Sequence, residues 1–128
     1  MRHLERARLE IPGDPAHVQL ARLVAAGIAG RLLFDVDQIE DLRIGVDECC
    51  VAILGWVSSA SVLELEYTWD DDSITLHGEA SGAVGEGEPR ITGITAPILA
   101  AVIDGHRLWR DGDRVGFELW KRRSGFLS

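Results

Sequence analysis

The chain has 128 residues and a formal net charge of −8, from 13 basic and 21 acidic side chains. This length suits a single globular domain over residues 1–128, which can bury a core without disulfides or metals. The acidic balance disfavours a DNA-binding surface, because affinity for nucleic acid depends on cations that meet phosphates. Short apolar runs and a charged beginning of the chain predict a cytoplasmic protein without a membrane span.

The first half of the chain predicts one strand followed by two helices. Residues 6–11 alternate between polar and apolar side chains, as a half-buried strand does. Asp14 and Pro15 predict the start of a first helix that ends between residues 30 and 33. A second, longer helix is predicted from Asp37, with Glu40 three residues on as in a capping box. Its apolar stripe recurs at spacings of three and four: Ile39, Leu42, Val46, Cys49 and Ile53.

The second half of the chain changes to a period of two. Residues 61–69 and 74–78 predict a hairpin joined by the acidic triplet at 70–72, which lacks the Gly and distal Glu of a calcium loop. The glycine-rich stretch from 82 to 93 predicts a mobile loop inside the domain. A third helix is predicted from Thr95, followed by a last hairpin around residues 108–119. The order β-α-α-β-β-loop-α-β-β predicts an α+β two-layer sandwich, with helices on one face of the sheet.

Cysteine and histidine positions indicate no metal site. Cys49 and Cys50 are adjacent on one helix, where a disulfide between them would be strained, so free thiols are expected. The four histidines show no metal-ligand spacing.

Two features near the end of the chain concern the surface. The cations Lys121, Arg122 and Arg123 are expected to form a solvated tail. Trp120 follows an inward-facing residue, so it should lie on the opposite face of the sheet, where it could form an apolar patch with Val62 and Trp109.

One segment of the second helix resembles a known family. The stretch Ile-Glu-Asp-Leu-Arg-Ile-Gly-Val-Asp-Glu-Cys-Cys, residues 39–50, is similar to the nucleotide-site helix of the anti-sigma-factor serine protein kinases. These belong to the GHKL ATPase superfamily, which has the Bergerat or histidine-kinase-like ATPase fold. The predicted element order matches that fold from about residue 6 to residue 122. The resemblance implies a mostly antiparallel sheet covered by helices on one face.

The resemblance also implies a nucleotide site on the second helix, and this chain departs from it. In active members a Glu polarises the nucleophile, and an Asn four residues later coordinates magnesium. Glu48 stands at the Glu position, but Ala52 stands where the Asn should be. Asp47 is rotated by about 100° around the helix and is a poor substitute.

Two further boxes of the family are also incomplete. In the Asp-x-Gly-x-Gly box, Gly78 stands in the place of the purine-binding Asp, and Gly82 is retained. Glu79 should face the other side of the sheet. The glycine-rich lid before the third helix is reduced to Gly93, and Pro97 lacks a backbone donor.

These departures favour a regulatory protein that acts by binding other proteins. The resemblance implies a sigma factor or a STAS-type anti-sigma antagonist as the partner, with a homodimer as a further option. We expect no cofactor, no metal and no kinase activity, with Glu48 as a vestigial catalytic residue. The alternative is an active ATP- and Mg-dependent serine protein kinase anti-sigma factor, in which the nucleotide would lie against these residues: Glu48, Ala52, Gly78, Gly82 and Gly93. A third reading is a sensor domain that binds another small molecule in this pocket.

Overall fold

The computed structural model describes residues 4–58 and 61–124 of the chain. Its elements follow the predicted order: β1 (Glu5–Pro12), a short 3-10 turn (Pro15–His17), α1 (Val18–Arg31), α2 (Val36–Leu54), β2 (Val62–Trp69), β3 (Ser73–Ser81), α3 (Thr95–Val102), β4 (Gly105–Asp111) and β5 (Arg114–Arg122). Within the described part, no helix combines the length and apolar character that a membrane crossing requires.

The five strands form one antiparallel sheet in the order β1-β2-β3-β5-β4. Strand side chains alternate between a buried and a more exposed face. The helices cover the buried face, where the Tyr67 hydroxyl of β2 donates a 2.8 Å hydrogen bond to the Ala21 carbonyl of α1. The fully buried inward side chains form the core with the helices: Leu63, Leu65, Tyr67, Ile74, Leu76, Val115, Phe117 and Leu119. The predicted α+β two-layer sandwich is confirmed.

The start of α2 differs from the predicted one. Asp35, two residues before the predicted cap, accepts a 2.7 Å hydrogen bond from the Gln38 backbone, and the Gln38 side chain accepts one from the Asp35 backbone. The side-chain amide of Gln38 also donates a hydrogen bond to the Ser124 hydroxyl at 2.7 Å. Because Gln38 contacts a residue at the far end of the chain, a tertiary contact supports this cap over the one predicted at Asp37.

The segment between β3 and α3, predicted as a mobile loop from Gly82 to Gly93, is tied to its neighbours. Ala83 forms a β-bridge with Val57, and the Val84 amide donates a 2.8 Å hydrogen bond to the Trp56 carbonyl. These contacts link the loop to the residues that follow α2, which no local pattern reveals.

The C-terminal cations are not all part of a solvated tail, as the sequence suggested. Lys121 is buried on the inward face of β5, and its Nζ donates a 2.7 Å hydrogen bond to the Val102 carbonyl. A cation is favourable at this position because the carbonyl end of α3 carries partial negative charge. The next residue, Arg122, is exposed. Lys121 therefore connects the sheet to the end of α3.

Replacing Lys121 with Met is expected to lower the free energy of unfolding by about 2 kcal/mol, because a hydrogen bond from a charged donor is lost and the Val102 carbonyl is left unpaired. Urea unfolding followed by circular dichroism measures the change. Arg122→Met is the matched control: it removes the same charge at the exposed neighbouring position, with an expected effect below about 0.5 kcal/mol. Equal losses in the two variants would contradict the role given to Lys121.

Candidate functional site

Glu48 lies half-buried in the second half of α2. It borders a shallow pocket of about 300 Å³ on the outer side of the helical layer, together with Arg22, Glu40, Arg43, Ile44 and Asp47. Within the described residues no hydrogen bond or ion pair of its carboxylate is observed. A carboxylate at such a position can face water or a bound ligand.

Asp47, the neighbouring carboxylate, is engaged in an ion pair. Its Oδ1 accepts a short hydrogen bond from Nη1 of Arg22, which lies on α1. The pair joins the two helices and leaves this oxygen committed to a guanidinium. Asp47 is therefore a structural link between α1 and α2.

The residues one turn before and one turn after Glu48 on the same face of α2 have no side-chain oxygen. Ala52, one helical turn later, presents a half-buried methyl group. The space beside Gly45, one turn earlier, is occupied by Ile103: a Cβ added to Gly45 would lie 2.6 Å from Cγ2 of Ile103. The absence of a side chain at Gly45 therefore allows Ile103, at the end of α3, to pack closely against α2.

Gly78 lies inside β3, which continues to Ser81, and it faces the helices as predicted. The ring of Phe117, on the adjacent strand β5, lies directly over it: a Cβ added to Gly78 would be 2.3 Å from Cε2 of that ring. Phe117 is fully buried. The space that an aspartate side chain would need is therefore filled by an aromatic ring. Ala80, the next inward residue of β3, also lacks a polar side chain.

The two remaining candidate glycines lie at the ends of the segment between β3 and α3. Gly82 follows β3 with a φ of 88°, and Gly93 precedes α3 with a φ of 65°. Both backbones are in the left-handed region, where glycine is favoured. Their presence is thus explained by the turns they make.

Taken together, the side chains at these positions do not fit a magnesium–nucleotide complex. Magnesium binds oxygen ligands, and Ala52 supplies none. A purine amino group needs an acceptor, and at Gly78 the ring of Phe117 occupies that place. Among residues 4–58 and 61–124, no group of three or more His, Cys, Asp or Glu side chains could hold a metal ion.

The cysteines that follow Glu48 are free and buried, as predicted. Burial raises the pKa of Cys49 to about 12, with a further contribution from the charge of Glu48. Burial also raises the pKa of Cys50. Both thiols remain protonated at neutral pH, and a protonated thiol is a poor nucleophile.

A network of charged side chains on the open face of the sheet was not predicted from the sequence. Glu79 faces this side, as alternation predicted, and contacts Nε2 of His77 at 2.9 Å and Nε of Arg114 at 2.6 Å. Arg114 also donates a 2.9 Å hydrogen bond to Glu64. Burial favours a higher pKa of the Glu79 carboxyl, but the hydrogen bonds and charges of His77 and Arg114 outweigh it and lower the pKa. To predict these contacts from the sequence, one would have needed the register between the strands, which brings Glu64 and Arg114 close to Glu79.

The tryptophans on the open face do not form the predicted apolar patch. The Trp109 ring lies over Gly116 and the Trp120 ring over Gly105, each on the adjacent strand. Between them runs a row of polar residues across the sheet, formed by Arg8, Glu66, His77, Glu118 and Arg107. Each ring instead packs over a glycine, and this contact leaves less of its aromatic surface exposed to solvent.

Comparison with known proteins identifies relatives for part of the chain. No protein-family profile matches it. Curated proteins named serine-protein kinase RsbW, from Bacillus thuringiensis, Bacillus cereus and Bacillus anthracis, are each 37% identical to this chain over 54 residues. The match covers 42% of this chain and 34% of each relative, so the chain matches about a third of their length.

A solved structure extends the likeness to almost the whole chain. It contains the RsbU and RsbW domains of a Mycobacterium tuberculosis protein and covers 92% of this chain and 32% of its own, with a TM-score of 0.68. At 11% identity this likeness establishes the fold alone. The predicted resemblance to the anti-sigma-factor serine protein kinases is thereby confirmed over 54 residues, and the predicted fold is confirmed over 92% of the chain.

Proposed function

We propose that this chain, a homologue of the RsbW serine-protein kinases that has their fold, is an anti-sigma-factor-type regulator that binds a protein partner without nucleotide or phosphoryl transfer. The partner class is a sigma factor or a STAS-type anti-sigma antagonist. The observation that carries the proposal is the Phe117 ring in the space beside Gly78, in a chain homologous to kinases.

The expected cost of the two changes supports this reading. A hydrogen bond that involves a charged group contributes roughly 1.5–3 kcal/mol. Loss of both the purine acceptor and the metal ligand therefore costs about 3–6 kcal/mol, which is two to four powers of ten in affinity. A site of micromolar affinity would then bind near or above millimolar concentration. Such a site would contribute little to regulation.

The outer surface of the helical layer supports binding of a protein partner. The helix α3 contains no charged residue, and Ile94 and Ile98 beside and within it are 80% and 39% exposed. On α1, Leu20 and Leu23 are 43% and 52% exposed. Exposed apolar side chains can be buried against a partner, as in the apolar core of a protein interface. The rigid fold that presents them does not depend on a nucleotide site.

Affinity measurements with purified partners test the proposal. Sigma factors and STAS proteins from the source cell are titrated with the wild type and with Glu48→Ala, with and without millimolar Mg-ATP. We expect a partner that binds both forms with the same dissociation constant, within about twofold, whether or not Mg-ATP is present. We also expect no phosphate on its serines.

Two results would contradict the proposal in different ways. Saturable Mg-ATP binding with Glu48-dependent phosphate transfer would favour the alternative, an active serine protein kinase; the half-exposed Glu48 and the kinase names of the relatives are what support that alternative. A complete absence of binding to both partner classes would reject the regulatory role itself.

A further inference from the structure

The segment that joins β3 to α3 is closed by contacts within the chain. We call residues 82–91 the cover segment. Its first residues pair with the stretch that follows α2: the Ser58 amide donates to the Gly82 carbonyl at 3.2 Å, and the Val84 amide donates to the Trp56 carbonyl at 2.8 Å. With the bridge between Val57 and Ala83, these bonds make a short two-stranded ribbon.

The turn between β4 and β5 holds the same segment from the other side. Asp113 accepts two hydrogen bonds from it: Oδ2 from the Gly82 amide at 3.1 Å, and the backbone carbonyl from the Ala83 amide at 2.9 Å. Arg110 donates from Nη1 to the Gly87 carbonyl at 3.1 Å, while its Nε donates to the Gly112 carbonyl at 3.0 Å. The bond to Gly112 orients the guanidinium group that donates to Gly87.

The middle and the end of the cover segment are also anchored. Gly87 lies against the indole of Trp56, where a Cβ would be 3.4 Å from the ring, and its φ is 98°. Pro89 is buried, and Ile91 packs against the hydrophobic core. The glycines of the segment therefore serve close approach and turning, and their number does not make it mobile.

We propose that the cover segment is a permanently closed part of the fold, latched by Arg110 and Asp113 and indifferent to nucleotide. Every anchor in these contacts is a protein group, so no ligand is needed to order the segment. Insofar as this concerns nucleotide, the inference rests on the proposed function. It deepens that function by predicting a regulator in which the segment between β3 and α3 has a single state.

Hydrogen exchange followed by mass spectrometry tests the closed state on the whole chain. In the wild type, the amides of Gly82, Ala83 and Val84 are expected to exchange at least tenfold more slowly than unstructured amides, equally with and without millimolar Mg-ATP. The variant Arg110→Ala/Asp113→Ala removes the latch side chains and should speed this exchange several-fold. Its secondary structure should be unchanged.

A matched control uses the same hairpin. The variant Arg107→Ala/Asp111→Ala removes one basic and one acidic side chain, neither of which hydrogen-bonds to the cover segment in the described part of the chain; Arg107 pairs with Glu118 on the open face. It should leave exchange at residues 82–84 unchanged. Equal loosening by the control variant would overturn the latch.

The remaining outcomes separate the two proposals. Wild-type amides that exchange at unstructured rates would overturn the closed cover and leave the proposed function standing. If Mg-ATP slows the exchange of these amides, the segment is not indifferent to nucleotide. That result would also count against the proposed function. If the latch variant does not fold, the wild-type exchange rates decide by themselves.

Discussion

Gly78→Asp is expected to lower the free energy of unfolding by about 4 kcal/mol or more, and not to restore a purine acceptor. The new Cβ would lie 2.3 Å from the Phe117 ring, which is fully buried. Overpacking of this kind costs about 1–3 kcal/mol. A carboxylate buried without a partner adds several kcal/mol more. Since a domain is stable by only about 5–15 kcal/mol, much of the variant would be unfolded.

Urea unfolding and calorimetry with Mg-ATP measure both parts of this prediction. Ser81→Asp is the control, because Ser81 ends the same strand on the open face, opposite Arg114. Its effect should stay within about 1 kcal/mol. A Gly78→Asp protein that is as stable as the control, or that binds nucleotide, would contradict the packing described at Gly78.

Phe117→Ala is expected to cost about 3–5 kcal/mol, since a fully buried aromatic ring is replaced by a cavity. The cavity opens directly over Gly78. Gly78→Ala alone should cost about 1–3 kcal/mol through its clash with the ring. In the Phe117→Ala background the added methyl group enters the cavity, so the same change should become neutral or stabilising. The coupling energy of the double-mutant cycle should exceed about 1 kcal/mol.

A second ring-over-glycine pair in the same sheet provides the comparison. Trp109 lies over Gly116 on the open face and is only half-buried. Its ring can move into solvent, so Gly116→Ala should cost less than Gly78→Ala. Chemical denaturation of the three single variants and of the double variant Gly78→Ala/Phe117→Ala measures the difference. Additive effects at residues 78 and 117 would contradict direct contact between them.

Local patterning predicted most of the backbone. The order of strands and helices follows from which side chains must leave water, at a period of two or of three to four. The same alternation correctly placed Gly78 on the covered face and Glu79 on the open face. The two free cysteines followed from their adjacency on one helix.

The candidate site was only half predictable. Glu48 and Ala52 share a helix, so their spacing could be compared with the family pattern directly. The residues that fill the space near the candidate positions could not be predicted, because Ile103 follows α3 and Phe117 lies on β5. Their positions depend on strand register and helix placement.

Three predictions differed from the structure for the same reason. The cap of α2 depends on Gln38, which contacts Ser124. The glycine-rich segment is held by Arg110 and Asp113, and Lys121 is buried against Val102. In each case the deciding partner is distant in sequence.

By itself, the amino-acid sequence determined the α+β order, the faces of the β2 and β3 side chains and the loss of an oxygen at Ala52, because each depends on neighbours one turn or one strand position away. Tertiary structure alone decided that Phe117 fills the space beside Gly78, that Lys121 caps α3 and that Arg110 and Asp113 hydrogen-bond to the segment after β3. Those outcomes depend on which distant groups the antiparallel register brings within contact distance, and no local period encodes that register.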